Sequence, residues 1–212
     1  MQRKLVIFDC EGVLTEEKSS WGRLHKFFGS KDNEYFANLY RKGLISYLDW
    51  MKIDIALMIH SYGRSIKRID VENALADIKP RRSAKQLIDY IKQRGHLPAV
   101  VSSGVDIVVK RICRELGIDI CFSNELVFIN DELIPGGVEK VPLKEKKKTI
   151  VKLAEEYEIG LRNIIYVGDS EWDIEVFETV PLSIAVEPCG IACKHANYIV
   201  RDLTEIMHLG VL

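Results

Sequence analysis

Short apolar runs alternate along the chain with stretches in which apolar residues recur at helical spacing. Residues 5–8, 99–102 and 164–167 are runs of strand length, rich in β-branched side chains, and each stops at a polar or glycine-containing turn. Continuous apolar runs of that length fit strands buried on both faces of a parallel sheet. Between them lie amphipathic segments over 81–94, 106–116 and 146–157, ended by Gly95, Gly117 and, nearby, Gly160. Glycine just past the last periodic residue is a helix stop, because it takes the left-handed conformation that other residues resist. Alternation of strand and helix predicts an open sheet covered on both faces, the doubly wound α/β class. Further strands are expected over 118–122, 182–186 and 198–200, with a hairpin around Asn130-Asp131 between Leu126 and Ile134.

Residues 16–78 break this alternation. They hold helix-like segments over 21–28, 33–41, 47–60 and 71–78 and no convincing strand, so they read as an inserted helical domain, with 1–15 and 79–212 forming the α/β core. Aromatic residues in the insert (Trp21, Phe27, Phe28, Tyr35, Phe36, Tyr40, Trp50) read as packing residues. Pro80, in Lys79-Pro80-Arg81-Arg82, marks the return to the core, since proline cannot continue a helix.

Composition narrows the function classes. A chain of 212 residues with 47% hydrophobic side chains can bury one substantial core plus a smaller module. Thirty basic residues against thirty-one acidic ones give a formal net charge of -1, which offers no general attraction to nucleic acid or an anionic membrane. A small-molecule partner is therefore expected, with the oligomeric state left open. The five cysteines (Cys10, Cys113, Cys121, Cys189, Cys193) are odd in number and scattered, unlike a disulfide-stapled secreted domain, so a reducing cytoplasm is expected. The basic start followed by residues 5–8 has too short an apolar run for a signal peptide, and no run reaches membrane-spanning length.

Candidate chemistry sits at the strand ends, where open α/β sheets bind ligands. Asp9 and Glu11 follow the first strand, with Gly12 allowing a sharp turn; Ser102, Ser103 and Gly104 follow the second; Gly168-Asp169-Ser170-Glu171-Trp172-Asp173 follow the later one. If these strands are neighbours, Asp9, Glu11, Asp169 and Asp173 converge on one crevice, where like charges repel unless a cation lies among them. Oxygen ligands without histidine or cysteine suit Mg²⁺.

In this order the motifs resemble the haloacid dehalogenase superfamily, within it the phosphoserine-phosphatase-like branch, which has a Rossmann-like core and a helical cap inserted after the first strand. The resemblance covers nearly the whole chain. It implies a Mg²⁺-dependent phosphomonoester hydrolase in which Asp9 attacks phosphorus to form an aspartyl-phosphate and Glu11 is the acid/base. It also implies that Mg²⁺ is held by the Asp9 carboxylate, the Glu11 carbonyl and Asp169, with Asp173 in support. Ser102 would bind a phosphate oxygen, aided by backbone N–H groups of Ser103 and Gly104. The family's single lysine falls among Lys144, Lys146, Lys147 and Lys148, and spacing favours Lys148 as the catalytic and phosphate-binding one.

Three departures from the family pattern bear on substrate. Glu11 replaces the usual aspartate, as in the Asp-x-Glu-Gly-Thr motif of enolase-phosphatases; Trp172 replaces an asparagine; and Lys18 and Asp54 fall where a glutamate and an arginine grip phosphoserine. Phosphoserine is thus one small ester among several expected. Transfer to an acceptor alcohol, or a catalytically impaired phosphate-binding regulator, are the alternatives. A zinc site at Cys189-x₃-Cys193-x-His195 is set aside for want of a fourth ligand, and no cysteine-phosphatase loop or P-loop is present.

Overall fold

The computed structural model describes residues 2–31 and 34–212. Its centre is a seven-stranded sheet in the order β4-β3-β2-β1-β5-β6-β7. The strands are β1 (Leu5–Phe8), β2 (Leu97–Val105), β3 (Ile120–Ile129), β4 (Glu132–Val138), β5 (Ile164–Gly168), β6 (Leu182–Val186) and β7 (Tyr198–Val200). All neighbouring pairs are parallel except β3 with β4. Successive residues of a strand point to opposite faces. Val6 and Phe8 accordingly join one apolar layer with α5 (Arg82–Gln93) and α6 (Asp106–Leu116), while Leu5 and Ile7 join the other with α7 (Lys146–Glu156) and α8 (Ile174–Phe177).

β3 outruns the expected 118–122 because it continues into the hairpin, where Asn130 and Asp131 take left-handed φ values of 50° and 65°. Paired left-handed residues match the twist of a two-residue hairpin turn. The hairpin then serves as a platform: α3 (Tyr47–Tyr62) packs on β4, with the Met51 side chain seated against Gly137.

Between Thr15 and Pro80 the described residues form α1 (Ser20–Phe28), α2 (Glu34–Arg41), α3 and α4 (Arg68–Ala74), with no strand. The start expected for α2, Asn33, lies outside the described residues. α4 begins earlier than the expected 71, because the Asp70 carboxylate accepts the Lys67 N–H at 2.9 Å and caps the helix there. The helical segment leaves and rejoins the sheet side by side. Thr15 bridges Pro80, the Arg81 N–H donates to the Leu14 carbonyl at 2.7 Å, and the Arg81 guanidinium reaches the Gly12 carbonyl at 3.1 Å.

Cys189 and Cys193 are joined as a disulfide, with Cα atoms 5.3 Å apart, whereas Cys10, Cys113 and Cys121 are free thiols. Four-residue spacing across the short turn after β6 brings the two sulfurs together. Among the described residues, no helix is long and apolar enough to cross a membrane.

His96, just before β2, is buried; its Nδ1 accepts the Lys4 N–H at 3.2 Å, and its Nε2 has no partner among the described residues. Burial, with Lys4 and Arg94 nearby, holds its pKa below the ordinary 6.5. Folding therefore favours the neutral ring, and stability present above about pH 6.5 is lost as the pH falls below it. Denaturant titrations across that range should show the loss, and His96→Asn, which keeps an acceptor for Lys4, should flatten it.

Candidate active site

β1 lies between β2 and β5, at the point where successive connections turn to opposite sides of the sheet. The register sets Phe8 beside both Val100 and Val167, so the residues just beyond these three strands meet at one edge. Asp9 continues the pairing through its N–H to the Val167 carbonyl at 2.9 Å, and then the chain breaks away in a loose turn over Cys10–Leu14. Gly12 makes that turn possible: its φ is +73°, and a Cβ there would collide with the Asp169 carboxylate.

The Asp9 carboxylate is nine-tenths buried and held from two sides. Its Oδ1 accepts the Cys10 N–H at 2.7 Å, and its Oδ2 accepts the Lys146 ammonium at 2.5 Å. Lys146 also donates to Asp173 Oδ1 at 2.7 Å, and the Tyr166 hydroxyl donates to the same oxygen at 2.6 Å. Asp173 Oδ2 accepts the N–H groups of Asp169 and Ser170 and the Ser170 hydroxyl, at 3.1, 3.0 and 2.9 Å. A buried carboxylate with this many donors is a fixed anchor, and Asp173 holds both Lys146 and the loop that carries Asp169.

Glu11 points to the start of α1. Its Oε1 accepts the Ser20 N–H at 2.7 Å, and the Ser20 hydroxyl in turn accepts the Val105 N–H at 2.9 Å. A Cβ on Gly104 would lie 2.7 Å from the Glu11 carboxyl group, so only glycine allows Glu11 to lie this close to the end of β2. The Ser102 hydroxyl is buried beside Asp9 at the same crevice and accepts the Gly104 N–H at 3.3 Å.

Burial dominates the electrostatics. It pushes Glu11 up to about 7, with the Ser20 hydroxyl and N–H pulling it back and Asp9 adding to the rise. It pushes Asp169 up to about 6, reinforced by the charge of Asp9 and opposed by Lys18. Asp9 is raised by burial against the pull of Lys146, whereas Asp173, equally buried, lies below its ordinary value because Lys146, Tyr166 and the backbone donors outweigh desolvation. Carboxylate oxygens of Asp9, Asp169 and Asp173 lie within 4.8 Å of one another, a donor set that could hold a metal ion.

Residues 3–180 match the family of haloacid dehalogenase-like hydrolases. The chain belongs to that family. A phosphoserine phosphatase of Methanocaldococcus jannaschii is 29% identical over 210 residues, 97% of each chain. A substrate-bound phosphoserine phosphatase superposes with a TM-score of 0.81 at 26% identity over 98% of both chains. A phospho-aspartyl intermediate analogue of phosphoserine phosphatase superposes at 0.80 with 27% identity, over 98% of this chain and 99% of the other. This hydrolase is a phosphatase of the phosphoserine-phosphatase type.

The fold brings Asp9, Glu11, Ser102 and Asp169 to one crevice with Asp173 fully buried behind them, but it does not bring Lys148 there. Lys148 is exposed and pairs with Glu145 at 3.1 Å. Lys146 occupies the crevice instead. The helical period explains this, since Lys146, Ile150, Leu153 and Ala154 form the buried stripe of α7 and Lys148 lies off it. The Ser103 hydroxyl also points elsewhere, to the Val141 carbonyl at 2.8 Å, although its backbone still lines the crevice with Gly104. Spacing alone did not reveal Ser20 or Tyr166. Tyr166 had one signal, a phenol inside an otherwise apolar strand.

Lys146→Met should lower kcat/KM by about 10²-fold or more, whereas Lys148→Met should change it by no more than about twofold. Steady-state hydrolysis of a phosphate ester, with circular dichroism to verify folding, separates the two.

Proposed function

We propose that the phosphatase transfers the phosphoryl group of a small phosphate monoester first to Asp9 and then to water. The reading rests on one observation above the rest: a buried carboxylate at the switch point of the sheet, fixed by Lys146 at 2.5 Å, with a second carboxyl group of pKa about 7 at its side. A carboxylate nucleophile must be anionic and immobile to attack phosphorus, and the Lys146 ammonium and Cys10 N–H supply both conditions.

Glu11 is suited to two proton steps. Near neutral pH it is split between carboxylic acid and carboxylate. The acid form can protonate the departing alkoxide oxygen, and the carboxylate form can then take a proton from the water that attacks the aspartyl-phosphate. Lys146 and the Ser102 hydroxyl lie where they can stabilise charge on the phosphoryl oxygens.

Mg²⁺ fits the donor set. Asp169 is pushed up to about 6 partly by the charge of Asp9, a repulsion that a cation relieves. Asp9, Asp169 and the Glu11 carbonyl would hold it, with Asp173 supporting through the loop it anchors. When bound, it neutralises part of the charge on the phosphate. Residues 16–78 act as a cap over this crevice, closed through the contacts of α1 and α3 with the end of β2.

Asp9→Asn should abolish phosphate release. Glu11→Gln should slow hydrolysis of an alkyl phosphate by about 10²-fold or more, because its alkoxide needs a proton. The same variant should retain a burst with p-nitrophenyl phosphate, whose leaving group needs none. Stopped-flow measurement of the burst checks both; turnover by Asp9→Asn would refute the nucleophile.

A further inference from the structure

Beyond Asp9 the crevice widens into a cavity of about 580 Å³. Its outer wall is apolar and mostly aromatic: Trp21 from α1, Tyr47, Trp50 and Met51 from α3, Leu143 ahead of α7, and Trp172 beyond β5. The rings support one another. Tyr47 and Trp50 lie 6.0 Å apart, and Tyr40 packs behind them, 5.4 Å from Trp50 and 6.1 Å from Trp172. Two of the polar tips share one acceptor: the Trp21 indole N–H and the Tyr47 hydroxyl donate to the Ser103 carbonyl at 3.4 and 3.0 Å.

The charged side chains that line the cavity each have a partner within the chain, Glu11 through the Ser20 N–H. Lys146 is held by Asp9 and Asp173, Lys18 by Asp169, and Glu171 by Arg41, while Asp54 lies 3.5 Å from His25. Among the described residues, no arginine lines the cavity. With Asp169 engaged on Mg²⁺, a leaving group bearing its own carboxylate and ammonium would find Lys18, which also donates to the Pro188 carbonyl, as the one cation for the first. For the second it would find only Glu171 and Asp54, already paired with Arg41 or set beside His25. Aromatic walls can also take a cation, but here the chain supplies its own: the Arg41 guanidinium lies over Trp172 at 5.4 Å and the Lys144 ammonium over Tyr40 at 5.1 Å.

We infer that the ester cleaved has an uncharged, apolar leaving group of aralkyl or similar character, and that Trp50 and Trp172 determine this specificity. The inference rests on the reading of Asp9 as nucleophile. The ester P–O bond breaks as the Asp9–phosphorus bond forms, Glu11 gives its proton to the departing oxygen, and the neutral alcohol leaves along the aromatic wall. Water then takes the phosphoryl group from Asp9, and its proton returns to Glu11.

The test compares three alkyl esters on the full chain with Mg²⁺: 2-phenylethyl phosphate, phosphoserine and phosphocholine, with p-nitrophenyl phosphate as a general reporter of turnover. The expected result is a kcat/KM for the phenylethyl ester about tenfold or more above the other two, carried mainly by KM. Preference for phosphoserine or phosphocholine, with hydrolysis still dependent on Asp9, overturns the inference and leaves the nucleophile standing. Hydrolysis of none of the four overturns both.

Trp50→Ala and Trp172→Ala should each narrow the preference for the phenylethyl ester over methyl phosphate by about tenfold. Should either variant fail to fold, inhibition of the unaltered protein decides: 2-phenylethylphosphonate should compete more strongly than the phosphonate analogue of phosphoserine, and the reverse order overturns the inference.

Discussion

A single buried ammonium organises the site. Lys146 enters on the first turn of α7 with almost no exposure to solvent and is bonded to Asp9 on one side and Asp173 on the other. Burying three charged groups is costly unless each is paired and hydrogen-bonded, and here they are. Asp173 collects donors from Lys146, Tyr166, the Ser170 hydroxyl and two backbone N–H groups, which fixes the position of Lys146. Removing the ammonium would leave two carboxylates facing each other without compensation, so the cluster ties stability to the arrangement that chemistry needs.

The helical segment is connected to this cluster through short links. The first N–H of α1 holds the Glu11 carboxylate, and the Ser20 side chain reaches the end of β2. Arg81, where the chain returns to the sheet, bonds back to the Gly12 carbonyl in the turn that follows Asp9. At the opposite rim, Lys144 donates to the carbonyls of Tyr40 and Arg41, and Arg41 reaches Glu171 beside Trp172. Glu11 and the aromatic wall are therefore positioned by the same helices. A change in how those helices sit would move the Glu11 carboxyl group and the cavity wall together.

Much of this was legible in the chain. The apolar runs at 5–8 and 164–167 were readable because a strand covered on both faces has no alternation to obscure it, and the glycine stops marked α6 to its last residue. The carboxylates were readable because they stand at the ends of those runs. Lys146 was not separated from Lys148 by spacing, since a charge run hides which member faces inward; the buried stripe of Ile150 and Leu153 carried that information. Residues that act through long-range contacts gave weaker signals. Ser20 lies in the helical insert and meets Glu11 and Val105 only once the chain is folded, and the Cys189–Cys193 pairing depends on the turn after β6.

The central claim is that Asp9 carries the phosphoryl group during turnover. Acid quenching in mid-turnover followed by borohydride reduction converts an aspartyl-phosphate to homoserine, and peptide mass spectrometry locates it. Homoserine at position 9 is the predicted result. Its appearance at another carboxylate, or nowhere while phosphate is still released, would contradict the account.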